Sequence, residues 1–253
     1  ISAAAASTAG SPPKASCVTP ASSFSLGFVE IAETLLKQAL DQRAKLKGET
    51  HPEYVESLED FARLRVEQAR FDDAEKAARQ ALTIARATKN GVAAALETLG
   101  KVLEERGSYP EAITVMTEAV ALRADPKELA EARLGLANVH FYAGHFPEAE
   151  ALNKQVLETY TIIYGPAHPS VAEVLTNLGA IKQDVGQYAE SEKIHRQALD
   201  IIRPFFGEDH PRTAASVTMI ARVLIYLKKS EDAAGLLTRA LAIRERVYGP
   251  VHP

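Results

Sequence analysis

The sequence predicts an all-α protein, a right-handed solenoid of helix-turn-helix repeats with about eleven helices. The first observation is composition: alanine and leucine are abundant, 6% of residues are aromatic and tryptophan is absent, which favours closely packed helices. The second is a set of small residues that recurs at two constant offsets, and the third is a joint ending in His-Pro. Together they indicate a stack of similar helical pairs.

Each repeat is marked by three positions, separated by 12 and then 7 residues, which hold small side chains in all but one case. Ala62, Ala74 and Ala81 form the first set. The distance between sets varies between 37 and 42 residues, while the two offsets stay constant. Small side chains are needed because two antiparallel helices approach each other closely there. The five sets begin at Ala62, Gly100, Ala137, Gly179 and Ala221.

Glycine and proline mark where helices end and begin. Inside the middle repeats a glycine is expected to end the first helix, and a following aromatic residue fills the corner. These turns are Gly107-Ser108-Tyr109, Gly144-His145-Phe146 and Gly186-Gln187-Tyr188. Between repeats, a glycine stops one helix and a proline sets the first turn of the next. Joints of this kind are 48–52, 165–169, 207–211 and 249–253.

A histidine precedes the proline in each joint, namely His51, His168, His210 and His252. A residue that recurs with the joint is expected to stabilise the turn. The wide separation of these histidines argues against a shared metal ion. We therefore predict no metal ligand and no cofactor.

The chain divides into a leader and a repeat array. Residues 1–27 are rich in Ala, Ser and Pro and are predicted to be extended or disordered. The array is predicted over residues 28–253, beginning with a half repeat, 28–50, whose helix over 28–46 has no first helix before it. Five full repeats follow, near 51–88, 89–125, 126–167, 168–209 and 210–253.

The array has no obvious polar cap at either end, and exposed apolar ends of repeat arrays usually find a partner. Residues 12–24 are proline-rich, so we predict that they run extended over the leading helix or insert into a groove. Self-association through an uncapped end is then expected at the C-terminus. We expect a cytoplasmic protein, with export as the alternative if residues 1–17 are the remnant of a signal peptide.

Segments such as Asn177-Leu178-Gly179 and Gln197-Ala198-Leu199-Asp200-Ile201 resemble the tetratricopeptide repeat (TPR), over about residues 28–253. The resemblance is closest to the 42-residue version found in kinesin light chains and many bacterial proteins. It implies that the first helix of each repeat lines a peptide-binding groove. The groove residues that it implies are Arg63, Lys101, Asn138, Phe141, Tyr142, Thr176, Asn177, Gln183, Arg222 and Tyr226. Acidic residues at equivalent positions are Glu56, Glu59, Asp60, Glu67, Glu97, Glu104, Glu105, Glu131, Glu173 and Asp184.

The sequence departs from the family pattern where the two helices of a repeat usually stack aromatic residues. The first helices carry Arg65, Leu103, His140, Lys182 and Leu224 at that position, and the second helices carry Ala78, Met116, Asn153, His195 and Leu237. We therefore expect a partly polar interior. A buried polar pair must satisfy its own hydrogen bonds, so we predict a hydrogen bond between His140 and Asn153.

Composition and motifs exclude several classes of function. The sequence has no glycine-rich phosphate loop, nucleophile elbow or HExxH signature, so we predict no catalytic residue and no enzyme. A formal net charge of −4 without a basic block argues against nucleic acid as a partner. The single cysteine, Cys17, excludes an internal disulfide. No apolar run approaches the roughly 18 residues that a membrane span needs.

These observations predict a scaffold that binds a peptide or protein segment in its groove. Two alternatives remain open: a peptide-sensing regulatory module of a larger protein, and a structural spacer or self-assembly module. Family members that grip the acidic C-terminus of heat-shock chaperones use two asparagines together with Lys or Arg. Asn138 and Asn177 match the asparagines, but Leu134, Ala215 and Met219 stand at the basic positions, so the resemblance implies no chaperone-tail clamp.

Overall fold

A computed structural model describes residues 23–249 of the chain. Within that range the protein forms eleven α-helices and no strand, and the first helix, α1, spans Ser23–Lys47. The others follow as five pairs, each joined by a short turn. They are α2 (Pro52–Glu67) and α3 (Phe71–Thr88), α4 (Val92–Arg106) and α5 (Tyr109–Leu122), α6 (Pro126–Tyr142) and α7 (Phe146–Tyr164), α8 (Pro169–Asp184) and α9 (Tyr188–Phe206), and α10 (Pro211–Tyr226) and α11 (Ser230–Tyr248).

The helices stack in chain order, each against the next. In addition, α2 packs on α4 and α4 packs on α6, so the first helices of successive repeats are neighbours in space. Such a stack buries its core between repeats rather than around one axis. The predicted all-α repeat solenoid is therefore confirmed. Each of the five ranges predicted for full repeats contains one helical pair.

The small residues lie where the two helices of each pair touch. Ala62, Ala74 and Ala81 have no exposed surface, and the equivalent residues of the other pairs are buried as well. The buried Ser191 hydroxyl donates a hydrogen bond of 2.7 Å to the carbonyl oxygen of Gly179 in the facing helix. The constant offsets of the sequence thus correspond to the contact between paired helices.

The turn inside each repeat needs a left-handed residue seven positions after the first small residue. Gly144 and Gly186 supply it with φ of +79°, and Gly107 with +86°. Ala69 and Lys228 occupy the same place in the first and last repeats with φ of 55° and 59°. A side chain disfavours this conformation, so these two turns are strained where the others are not.

The joint histidines cap the helices that follow them. In His51, His168 and His210 the Nδ1 atom accepts a hydrogen bond from the backbone N–H two residues later, at 3.1–3.3 Å. This confirms the structural role predicted for them; His252 lies outside the described residues. Asp125 does the same for α6, accepting bonds of 3.0 Å from the N–H groups of Lys127 and Glu128. Each cap satisfies N–H groups that would otherwise lack a helical partner.

The predicted hydrogen bond between His140 and Asn153 is wrong. The amide of Asn153 donates to the carbonyl oxygen of Ala149, one turn back in its own helix, at 2.9 Å. The Nδ1 atom of His140 instead lies 3.4 Å from that of His145 in the turn. A short polar side chain within a helix reaches its own backbone more easily than a neighbouring helix, which accounts for the difference.

The helix α1 begins earlier than the sequence suggested. Residues 23–27 are helical, so their assignment to an extended or disordered leader is wrong, and so is the extended path predicted for residues 23 and 24. The rest of that predicted strip, residues 12–22, lies outside the described residues.

Arg65 of α2 holds α1 in place by donating two hydrogen bonds of 2.8 Å to the carboxylate of Glu33. This forked contact holds the pKa of Glu33 well below its usual range.

The tight contact around Gly179 can be tested by substitution. A Cβ atom added at Gly179 would lie 2.6 Å from Cε1 of the His195 ring, which is buried and cannot easily move. We expect Gly179→Ala to destabilise the protein by about 1–3 kcal/mol through overpacking. The control is Gly235→Ala in α11, where a Cβ would contact nothing within 4 Å. It should stabilise the fold by about 0.5–1 kcal/mol because alanine favours helix more than glycine does. Chemical denaturation measures both changes, and equal effects of the two substitutions would contradict the close-packing argument.

Candidate functional site

Cavities lie between successive first helices. One of about 370 Å³ separates α2 from α4, one of about 150 Å³ separates α4 from α6, and one of about 290 Å³ separates α8 from α10. We call these three cavities the groove. All are open to solvent and lined mainly by side chains of first helices, because the second helices pack behind them. The groove therefore results from the way in which successive helical pairs stack.

The two cavities nearer the N-terminus are rich in charge. Glu97 and Lys101 of α4 line both of them. Arg63, Glu67 and Glu105 complete the charged lining between α2 and α4. Glu104 and Glu131 face the smaller cavity, which has Gly135 and Val139 on its α6 side and Met116 of α5 behind it.

The third cavity has a different lining. Thr176 and Asn177 of α8 lie across from Ala215, Ser216 and Met219 of α10. Its charged residues are Glu173 and Arg212, one of each sign. The guanidinium of Arg212 lies 5.0 Å above the ring of Phe206. This part of the groove combines hydrogen-bonding groups with apolar surface.

Four of the residues predicted for the groove line these cavities: Arg63, Lys101, Thr176 and Asn177. Arg63 bridges two helices, because its guanidinium contacts Asp60 at 2.7 Å and the hydroxyl of Thr98 at 3.4 Å. The ammonium of Lys101 contacts Glu104 at 3.2 Å and Glu105 at 3.1 Å. Burial alone would lower the pKa of Lys101, but these two carboxylates raise it above its usual value.

The other predicted residues lie outside the three cavities. The amide oxygen of Gln183 accepts a hydrogen bond of 3.0 Å from Nε of Arg222, and Gln183 is buried. The partly buried Asn138 of α6 lines none of the three cavities. The remaining three, Phe141, Tyr142 and Tyr226, are at the C-terminal ends of first helices.

These three aromatic residues pack beside the turns. The ring of Phe141 lies 5.8 Å from that of Phe146, and Tyr142 packs edge-on against Phe141 at 5.4 Å. Tyr226 stacks on Tyr188 with ring centroids 4.8 Å apart. These aromatic residues therefore have ring partners beside the turns and line none of the three cavities.

Two polar residues of the groove, Arg212 and Ser216, were missed by the sequence prediction, as were apolar residues such as Ala172 and Ile202. Arg212 and Ser216 lie 9 and 5 positions before Ala221, near the start of α10. The helical period of 3.6 residues would have extended the predicted lining by one turn to include Arg212. Ala215 and Met219 line the same cavity, although the sequence analysis considered them only as positions that lack a cation.

Glu59 is a buried acid beside the cavity between α2 and α4. The residue is 6% exposed, and burial raises its pKa, with the charges of Asp60, Glu56 and Glu97 adding to the effect. The opposing cation is Arg63, whose Nη2 lies 3.6 Å from the carboxylate. A carboxylate in this environment destabilises the folded state when it is ionised.

Among the described residues, no group of three or more His, Cys, Asp or Glu side chains could hold a metal ion. No helix within residues 23–249 is long and apolar enough to cross a membrane. The described lining offers carboxylates, cations, an amide and hydroxyl groups, which suit reversible binding of polar and main-chain groups.

Comparison with known sequences identifies the family. A tetratricopeptide repeat model matches residues 22–87, 128–184 and 170–246, and a second such model matches residues 59–128. The chain belongs to the tetratricopeptide repeat family. Its fold is generally that of a non-catalytic scaffold for protein–protein interaction, and it implies protein partners. No curated protein matches the chain.

Solved structures share the fold at low sequence identity. BtubC (BKLC) from P. vanneervenii matches with a TM-score of 0.73 and 21% identity, over 89% of this chain and 94% of that one. A putative kinesin light chain of P. anserina with nearly identical TPR-like repeats has a TM-score of 0.67 and 22% identity, over 78% and 98%. The MamA protein has a TM-score of 0.52 and 19% identity, over 81% and 98%. The repeats are thus of the kinesin-light-chain-like kind in fold.

Neutralising Glu59 should stabilise the protein at neutral pH. Because the folded state raises the pKa of Glu59, that state binds its proton more tightly than the unfolded chain does, and stability is lost as the pH rises through this pKa. We expect Glu59→Gln to raise the melting temperature at neutral pH and to leave it unchanged in acid, where Glu59 is already protonated. Thermal melts across pH measure the difference. In the control, Glu158→Gln on the exposed face of α7, the pH profile should follow the wild type. A Glu59→Gln variant with no gain at neutral pH would contradict the assignment.

Proposed function

We propose that this protein is a non-catalytic scaffold that binds an extended peptide or protein segment along the groove. The observation that carries the proposal is that three of the gaps between successive first helices hold open cavities, namely α2–α4, α4–α6 and α8–α10. An extended segment laid across the first helices would pass over all three. Its side chains could then enter the cavities while its main chain contacts polar groups between them.

The third cavity has the groups that such binding needs. Asn177 has an amide that can both donate to and accept from a peptide main chain. Thr176 already donates its hydroxyl to the carbonyl oxygen of Ala172 at 2.8 Å, so its oxygen remains as an acceptor. Met219 offers a flexible apolar contact that adapts to different side chains. Polar and apolar groups together could fix both the register and the affinity of a segment.

Binding in the groove predicts a localised effect of substitution. Peptides selected from a random library displayed on phage should lose about tenfold in affinity for the variant Asn177→Ala, Met219→Ala, because a hydrogen bond and an apolar contact are removed together. The matched control, Gln155→Ala with Gln197→Ala, changes exposed residues of the second helices α7 and α9. Fluorescence anisotropy measures the dissociation constants. If every selected peptide binds both variants and the wild type equally, the groove is not the binding site.

The lining of the third cavity also predicts that a chaperone-type tail binds poorly. Ala215 and Met219 lie beside Asn177 where cations would be needed, and Leu134 packs against the core. A free carboxylate would lack charge-assisted hydrogen bonds worth about 1.5–3 kcal/mol each. We expect an acidic pentapeptide with a free C-terminus to bind no more tightly than its amidated form, by calorimetry. Tight, salt-sensitive binding that depends on the free carboxylate would refute this expectation.

A further inference from the structure

Charge is distributed unevenly along the groove. The two cavities formed by α2, α4 and α6 are lined by more carboxylates than cations. The carboxylates are Glu67, Glu97, Glu104, Glu105 and Glu131, and the cations are Arg63 and Lys101. The cavity between α8 and α10 is balanced, with Glu173 and Arg212. A segment that crosses the whole groove would therefore meet a negative region at one end and a neutral region at the other.

The cations of the acidic region are already engaged. Lys101 contacts two carboxylates, and Arg63 contacts Asp60 at 2.7 Å. Glu97 has Arg123 as its partner, at 2.8 Å. Glu67 is exposed in the cavity, and no cation of the described residues lies within ion-pair distance of it. Glu131 has Lys127 at 3.9 Å. Because Lys101 faces two carboxylates and Glu67 has no cation partner, the region keeps an excess of negative charge.

Glu59 of α2 adds to the negative charge beside this region. It is buried, and its carboxylate lies 3.6 Å from Nη2 of Arg63. Arg63 lines the cavity between α2 and α4, whereas Glu59 itself lines none of the three cavities. The carboxylates that a bound segment would meet directly are therefore those of the lining, such as Glu67 and Glu131.

We infer that the segment bound in the groove carries Lys or Arg side chains where it crosses α2, α4 and α6, and uncharged residues where it crosses α8 and α10. The inference rests on the proposed function, because it specifies the partner of the same groove. An ammonium or guanidinium group supplies several donors to carboxylates, and its charge is opposite to that of the lining. Like-charged partners such as acidic peptides are excluded by the same field.

The experiment uses the full chain and a phage-displayed library of random dodecapeptides, whose sequences are not biased toward either charge. Selected peptides are synthesised, and dissociation constants are measured for the wild type, for Glu67→Gln with Glu131→Gln, and for Glu158→Gln with Asp200→Asn. The first pair changes exposed carboxylates that line the two acidic cavities. The last pair removes the same charge from exposed positions of the second helices α7 and α9. Melting curves establish that each variant is folded.

We expect selected peptides to be enriched in Lys and Arg, and their affinity to fall about tenfold in the groove variant and less than about twofold in the control. Raising the salt concentration should weaken binding to the wild type more than to the groove variant, because salt screens the lost attraction. Basic peptides that lose affinity equally in the two variants would overturn the inference, since their attraction would then be to overall charge.

Two other outcomes separate this inference from the proposed function. Neutral or acidic peptides that respond to Asn177→Ala, Met219→Ala but not to the acidic substitutions would overturn the charge preference and leave groove binding intact. Selected peptides that respond to neither pair of groove substitutions would overturn both.

Discussion

The close approach of the two helices in each repeat is the constraint on which the rest of the structure depends. Ala62 and Ala74 in one pair, and Gly179 and Ser191 in another, are buried and small, so the paired helices can approach closely there. Large apolar residues are consequently used to join one pair to the next, and the core extends through the stack. The polar residues of the first helices then face the gaps between pairs. The groove therefore results from the same packing that stabilises the fold.

Most of the fold could be predicted from the sequence, because the same pattern of small residues and helix-start signals recurs along the chain. The offsets between small residues locate the helical pairs, and the His-Pro joints locate the helix starts. Ser23 was missed as a helix start because Ser25 and Gly27, which follow it, are weak helix formers. The pairing of Asn153 failed for another reason, since a local backbone acceptor competes with any partner on a facing helix.

The sequence predicted which positions line the groove better than it predicted which side chains there are available to bind a partner. Helical spacing placed Thr176 and Asn177 in a cavity. It could not show that Gln183 is bonded to Arg222, or that Tyr226 stacks on Tyr188, because both partners come from other helices. Burial of Glu59 likewise depends on how α2 and α4 stack. Whether a side chain is available for binding depends on its tertiary contacts, which the residue pattern of a single helix does not reveal.

Each helical pair packs mainly on the pairs next to it in the sequence, and this arrangement has a genetic consequence. The interval from Ala137 to Gly179 is 42 residues, and so is the interval from Gly179 to Ala221. A tandem duplication of the corresponding codons would add one helical pair whose two faces meet partners of the kind they already have. Such an event could lengthen the protein without redesign of an existing core. Unequal crossing-over between repeats could therefore change the number of cavities in a single step.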